Sequence, residues 1–261
     1  MVAMTTSPRI AIITGANRGI GRSTALALAR DVIDVIDVII TYRSHADEGV
    51  AVVDEIISLG RKAVALQLDT GATETFDAFV ASVTDALQNT WGRETFDVLI
   101  NNAGTQIAKP FAGFTEDDFD RLVGITFKGV FFLTQKLVGL VADSGGSIIN
   151  ISTGLTRFYG PDHIVYAASK GAIEVLTRYL AHDLGGRGIT VNTIAPGPVA
   201  TDFSGGLLRD NEPVQQMITS LTALGRYAVA DDIGSAIASL VSAGNRWVTG
   251  QRLEVSGGIN L

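Results

Sequence analysis

Tyr166 and Lys170 are the residues best suited to proton chemistry in this chain. They sit in a stretch that reads Ser152-Thr153-Gly154, a loop, then Tyr166-Ala167-Ala168-Ser169-Lys170. Apolar Ile173, Leu176 and Leu180 follow at helical spacing. Residues four apart share a helix face, so the phenol and the ammonium point the same way. A free phenol titrates near pH ~10, and a cation within about 4–6 Å favours its ionised form. The pair is therefore expected to bring the phenol closer to neutral pH and to make it a usable acid–base group. A hydroxyl from Thr153, or from its neighbour Ser152, could hold a substrate oxygen against it. A Tyr-x-x-x-Lys pair alone is common on half-buried helices, so its reading depends on the rest of the chain.

A second chemical feature lies near the N-terminus. The apolar run Ile10-Ala11-Ile12-Ile13 leads into Thr14-Gly15-Ala16-Asn17-Arg18-Gly19-Ile20-Gly21, and an Ala/Leu-rich helical pattern follows from Arg22 to Arg30. Glycines between a strand and a helix let backbone N–H groups and the helix N-terminus approach a pyrophosphate. The next strand ends in Tyr42-Arg43-Ser44, where an NAD site would usually carry an acid for the ribose 2′-hydroxyl. Arg43, with Arg18 in the glycine loop, instead suits a 2′-phosphate. NADP(H) is the expected cofactor, in preference to NAD(H).

The elements that must place these residues alternate strand and helix. Strands are expected over Val32–Thr41 (its core starting near Val35), Ala63–Leu68, Phe96–Ile100, Ser147–Ile151, Gly188–Ile194 and Arg252–Val255. Helices are expected over 45–59, 73–89, from Thr115 to about Ala142, from the Tyr166 region to Gly185-Gly186, and from Asp231-Asp232 to about Ser242. Thr115 with Asp118 three residues on reads as a helix N-cap. This alternation implies an α/β fold of about seven parallel strands, doubly wound, with helices on both faces. Six features then fall at the C-terminal ends of strands, where open α/β sheets bind ligands: the glycine loop, Tyr42-Arg43, Asp69-Thr70, Asn102-Ala103-Gly104, Ser152-Thr153 and Pro196-Gly197. Residues 1–8 read as a flexible tail, 9–261 as one domain, and 199–230 as a mobile substrate flap with one or two short helices. The repeat Asp31-Val32-Ile33-Asp34-Val35-Ile36-Asp37-Val38-Ile39 has period three, which no alternating strand can place on one face. Asp31 and Asp34 are therefore expected in the connection before the strand.

The bulk numbers agree with one large globular domain: 261 residues, 46% hydrophobic, 18% charged. A net charge of −7 argues against nucleic acid or an anionic membrane as partner. The chain has no cysteine, which excludes disulfides and thiolate metal sites and fits a cytoplasmic protein. No signal peptide or transmembrane helix is expected. His45, His163 and His182 lack metal-ligand spacing, so no metal is expected.

Thr14-Gly15-x-x-x-Gly19-x-Gly21, Asn101-Asn102-Ala103-Gly104, Tyr166-x-x-x-Lys170 and Pro196-Gly197-x-x-x-Thr201 stand in the order and spacing of the short-chain dehydrogenase/reductases. The chain resembles that family over essentially its whole length, and within it the 3-oxoacyl-carrier-protein-reductase-like oxidoreductases. The resemblance implies a Rossmann-type fold and hydride transfer between nicotinamide and a carbonyl or secondary alcohol. Tyr166 would be the general acid/base, with Lys170 lowering its pKa and binding the nicotinamide ribose. Asp69 would approach the adenine, Asn102 to Gly104 would line the adenosine side, and Val199 and Thr201 would bind the carboxamide. A homotetramer or homodimer and a small-molecule carbonyl or alcohol substrate are implied too. Two positions depart from the family pattern. Thr153 stands where a Ser is common, thirteen residues before Tyr166, and Thr126 stands where an Asn commonly supports a water path to the Lys. The span from the glycine loop to Arg43 is about one triplet longer than usual. The departures keep open a second reading: a cofactor-binding sensor or structural subunit with little catalysis.

Overall fold

The computed structural model describes residues 8–31 and 34–261. The tail expectation for Met1–Ser7 and the strand expectation at Val32 and Ile33 therefore lie outside the described residues. In chain order the first half runs β1 Arg9–Ile13, α1 Gly19–Arg30, β2 Ile36–Tyr42, α2 Ala46–Ser58, β3 Ala63–Gln67, α3 Phe76–Ala86 and β4 Val98–Asn101. Then come α4 Glu116–Val123, α5 Gly129–Leu137, β5 Ser147–Ile151, α6 Ile164–Gly185 and β6 Thr190–Pro196. The chain closes with β7 Val199–Ala200, α7 Leu207–Asp210, α8 Glu212–Leu221, β8 Ala228–Val229, α9 Ala230–Leu240 and β9 Arg252–Val255.

Seven strands form one parallel sheet in the order β3-β2-β1-β4-β5-β6-β9. The order reverses between β1 and β4, which makes the crevice above them the switch point where such sheets bind ligands. Both faces are covered, and β1 shows how. Ala11 and Ile13 pack with Leu26, Val52, Ile233 and Ile237 of α1, α2 and α9, while Ile10 and Ile12 pack with Phe76, Phe79, Leu133 and Leu137 of α3 and α5. A strand buried on both sides has no polar alternation, which is why β1 reads as a plain apolar run.

Several boundaries differ from the sequence expectation for identifiable reasons. The helix expected over 73–89 opens with a 3₁₀ turn and closes with a π-turn over Leu87–Trp91, ended by Gly92 at φ 65°. The helix expected from Thr115 to Ala142 does start in a Thr115/Asp118 capping box. A π-turn over Gly124–Lys128 then splits it into α4 and α5, and it finishes at Leu140. Gly129 explains the close packing there: a Cβ on it would fall 2.0 Å from the Thr70 carbonyl oxygen. The run Glu116–Leu140 reaches the length and composition of a membrane span, with mean hydropathy 1.3 over 18 residues, as the core helix of a globular domain also can. Leu133 and Leu137 on its α5 half pack with the Ile10 and Ile12 face of the sheet, and Leu122 on its α4 half is buried. β6 starts at Thr190, not Gly188, because Gly188 turns at φ 69° against Ser144.

The Asp repeat serves as a set of ties. The Asp34 carboxylate accepts from the Ala243 N–H at 2.8 Å, and buried Asp37 accepts from the Lys62 N–H at 2.9 Å and the Trp91 indole at 2.7 Å. Segment 199–230 contains two short helices, as expected, and its ends are clasped by a parallel β7–β8 pair that the sequence did not show.

Candidate active site

The glycine loop is held from below by the side chains of Thr14 and Asn102. The Thr14 hydroxyl accepts from the N–H groups of Asn102 and Ala103, both at 2.9 Å. The Asn102 amide donates to the carbonyls of Thr14 at 2.8 Å and Gly15 at 3.1 Å. Asn102 thus pins the loop with its side chain, while Ala103 packs against Gly15. Gly15 (φ 64°) and Gly19 (φ 57°) adopt left-handed backbone that L side chains avoid. Gly21 has no room for a Cβ, which would lie 2.5 Å from the Gly15 oxygen and 2.6 Å from the Asn102 amide.

The loop ends at the N-terminus of α1, whose N-cap residue Arg18 makes no side-chain cap bond. The first N–H groups of α1 are therefore left facing the crevice, the arrangement that suits a pyrophosphate. Ile20 packs onto the core beneath, and the Asn17 amide donates to Glu48 at 2.6 Å. Arg18, Arg43 and Ser44 are exposed at the mouth. The Ser44 hydroxyl is engaged by His45. Arg43 lines a cleft of about 340 Å³ with Asp69, Gly71 and Ile125, and with Arg121 from α4, a residue the sequence reading passed over. Asp69 accepts from the Gly71 N–H at 2.8 Å, and Thr70 is buried against Gly129.

Past Gly104, whose Cβ would lie 3.9 Å from the Lys170 Nζ, comes the phenol. Tyr166 and Lys170 are 8% and 3% exposed, one turn apart on α6. The Lys170 ammonium lies 5.9 Å from the Tyr166 ring centroid and donates to the Ile151 carbonyl at 2.7 Å, leaving two of its protons for other partners. Burial pulls the Lys170 pKa down to about 8, so it remains charged at neutral pH. Burial also pushes the Tyr166 phenol well above its ordinary value, and the Thr153 hydroxyl beside it acts in the opposite direction. This corrects the sequence expectation. In the protein alone, desolvation of the phenolate dominates, because the phenol is buried and the ammonium lies 5.9 Å from the ring centroid.

The two hydroxyls of the 152–153 step part company. Ser152 turns away and donates to Glu174 at 2.7 Å. Thr153 faces the phenol: its Oγ1 accepts from the Leu155 N–H at 3.3 Å, and its hydroxyl hydrogen-bonds the Tyr166 oxygen. Thr126, at the π-turn, is fully buried and donates to the Leu122 carbonyl.

Pro196 ends β6 and Gly197 packs on Ser256, too close for a Cβ. Val199 is half-buried in β7, and Thr201 lies over Gly19. Phe203 stacks obliquely on Tyr166, with centroids 6.1 Å apart at 50°. Gln106 of the loop after β4 donates to Ser204, tying the flap across the crevice. Of the residues named from sequence, Ser152 and the Asn102 side chain lie outside the crevice proper. The missed ones are Gln106, Arg121, Glu174 and Arg252; only Glu174, one turn past Lys170, left a local signal.

A parallel sheet with its glycine cradle, arginines that have no side-chain partner among the described residues, and a buried Tyr/Lys pair at the switch point define a Rossmann-type oxidoreductase class of site. Residues 15–260 match the family model described as enoyl-(acyl carrier protein) reductase. The chain belongs to the short-chain dehydrogenase/reductase family. It is 36% identical to a hydroxynaphthalene reductase-like protein of Metarhizium majus, over 96% of this chain and 94% of that one. It is 33% identical to a 3-oxoacyl-[acyl-carrier-protein] reductase of Staphylococcus aureus, covering 96% and 98%. Among solved structures it is similar to the angucycline C-6 ketoreductase LanV with bound NADP: TM-score 0.89, 33% identity, 97% and 95% covered. The protein is thus a family oxidoreductase.

Proposed function

We propose that this protein is an NADP(H)-dependent ketone reductase or alcohol dehydrogenase in which Tyr166 moves the proton. The observation that carries the reading is the phenol, the ammonium and the Thr153 hydroxyl gathered, buried, at the same sheet edge as a glycine cradle that a single Cβ would fill. NADP-bound relatives such as LanV support the cofactor, and Arg43 and Arg18 support the 2′-phosphate over a bare ribose. The cradle fits a dinucleotide: Gly15 to Gly21 and the α1 N-terminus would hold the pyrophosphate, the Arg43 cleft the adenosine, and Val199 and Thr201 the carboxamide. When bound, NADPH supplies the hydride.

The chain's own groups do the rest. Thr153 donates to the substrate oxygen and Tyr166 gives it a proton. The charged Lys170 steadies the phenolate that remains, in a site where water is excluded and the field of a cation is strong. Run backwards, the same phenolate takes the proton from an alcohol. Phe158, Tyr159, Phe203 and Leu207 give the entrance an apolar character, and cyclic aromatic ketones belong in the substrate panel beside acyl thioesters. Exposed Phe131 and Phe132 on α5, with Val175 and Tyr179 on α6, offer the faces for a homodimer or homotetramer, working in the cytoplasm.

The test is NADPH oxidation with a panel of ketones, followed by nicotinamide absorbance. Tyr166→Phe should cut turnover by about 10²–10⁴ while NADPH still binds. A variant of full activity would take Tyr166 out of the mechanism, and equal kcat/KM with NADH and NADPH would remove the cofactor preference. One observation favours the alternative, a cofactor-binding sensor or structural subunit. The Thr126 hydroxyl gives its proton to a helix carbonyl and so has none to donate to a water on the way to Lys170. Tight NADPH binding without turnover on any ketone is the result that reading expects.

A further inference from the structure

We propose that Glu174 and Arg252 are a positioning pair that selects Thr153, and not Ser152, as the hydroxyl facing Tyr166; this rests on the reductase reading above. Two adjacent hydroxyls leave the end of β5, and only one can face the phenol. One oxygen of the Glu174 carboxylate collects the other: it accepts from Ser152 at 2.7 Å, from Thr156 at 2.7 Å and from the Arg252 Nε at 2.8 Å. The same guanidinium donates through Nη2 to the Thr153 carbonyl at 3.3 Å and to the Thr156 hydroxyl at 3.0 Å, and through Nη1 to Glu254 at 2.9 Å. Arg157 closes the frame, with two bonds to Glu254 and two to the carbonyls of Ile259 and Asn260.

Helix α6, strand β9, the loop after β5 and the chain end are thereby locked around one peptide, that of Thr153. The Glu174 and Arg252 side chains are only 14% and 23% exposed, so the pair is shielded from the screening that weakens surface ion pairs. Among the described residues, neither side chain hydrogen-bonds the side chain of Tyr166 or Lys170; both act through Thr153. Backbone and side chain of Thr153 are both fixed, Arg252 on its carbonyl and Leu155 on its Oγ1, and its hydroxyl is held against the Tyr166 oxygen. Ser152, drawn to Glu174, cannot compete.

The test uses the full chain with NADPH and its best ketone. Arg252→Met and Glu174→Gln should each lower kcat about 10-fold or more, with the Kd of NADPH, read by nicotinamide fluorescence, unchanged. Arg252→Lys should recover part of the loss. In a Thr153→Ala background, Arg252→Met should cost less than about 2-fold, because the route through Thr153 is already cut. An equal loss in both backgrounds, or a fall in NADPH affinity that matches the fall in kcat, overturns the proposal. If Arg252→Met does not fold, Glu174→Gln, which keeps the shape, carries the same cycle. If the native protein reduces no ketone, the functional reading fails on its own. The positioning proposal is then decided by the crystal structures of the two variants. Thr153 swung off Tyr166 supports it, and Thr153 unmoved overturns it.

Discussion

Replacing Lys170 by methionine should make the protein more stable at neutral pH and inactive. Burial holds this ammonium's pKa at about 8, against 10.5 for a free lysine. At ~1.4 kcal/mol per pH unit, keeping it charged at neutral pH costs the fold on the order of 3 kcal/mol. Methionine removes that cost and keeps most of the stem's packing. It also deletes the Lys170 bond to the Ile151 carbonyl, and an unmet buried acceptor takes back about 1–2 kcal/mol. A net gain of about 1–2 kcal/mol remains, or roughly 2–6 °C in Tm for a chain of this size. The sign follows from linkage. The folded pKa lies below the unfolded one, so between pH 8 and 10.5 the unfolded chain binds more protons, and wild-type stability rises with pH through that window. By pH ~9.5 the advantage of methionine should have shrunk by about 2 kcal/mol and be gone. Tyr166, raised above its ordinary value, stays protonated throughout and does not blur the comparison. Urea unfolding of wild type and Lys170→Met from pH ~7 to ~9.5, with turnover measured alongside, makes the test. A stability difference that stays flat across this range would show that the ammonium is not carried at a cost, and the reasoning from burial would fail.

Arg43→Ala should lower kcat/KM for NADPH about 10–100-fold and leave NADH unaffected, the worth of a charge-assisted hydrogen bond to phosphate; kinetics with both nucleotides decide it. Gly21→Ala should abolish NADPH binding and lower Tm by several degrees, since its Cβ would fall 2.5 Å from the Gly15 oxygen; fluorescence titration and calorimetry read it. Thr153→Ser should hold turnover within about 3-fold, while Thr153→Val, equal in shape but without the hydroxyl, should lose about 10²-fold or more in kcat.

Much of the fold is legible along the chain because its causes are local. An apolar run, a glycine turn and an Ala/Leu helix identify β1 and α1 in sequence, and the structure places them so, with Gly15 and Gly19 at positive φ. The Thr115/Asp118 capping box is likewise a four-residue signal. The π-turn at Gly124–Lys128 is not legible, since it follows from Gly129 lying on the Thr70 carbonyl, a contact between distant segments. The β7–β8 clasp joins residues on either side of two helices, and a two-residue strand has no periodicity to find.

The sequence by itself determined that a phenol and an ammonium share one face of α6, that a flexible turn precedes α1, and that the second strand ends in arginine where an acid would exclude a phosphate. Spacing of 3.6 residues per turn and the conformational freedom of glycine are properties of the chain alone. Tertiary structure decided how those groups behave. Burial raised the Tyr166 phenol and lowered the Lys170 ammonium, because desolvation depends on everything packed around a group. It also turned Ser152 toward Glu174 and left Thr153 to the crevice, through a guanidinium on β9 that no count along the sequence connects to β5.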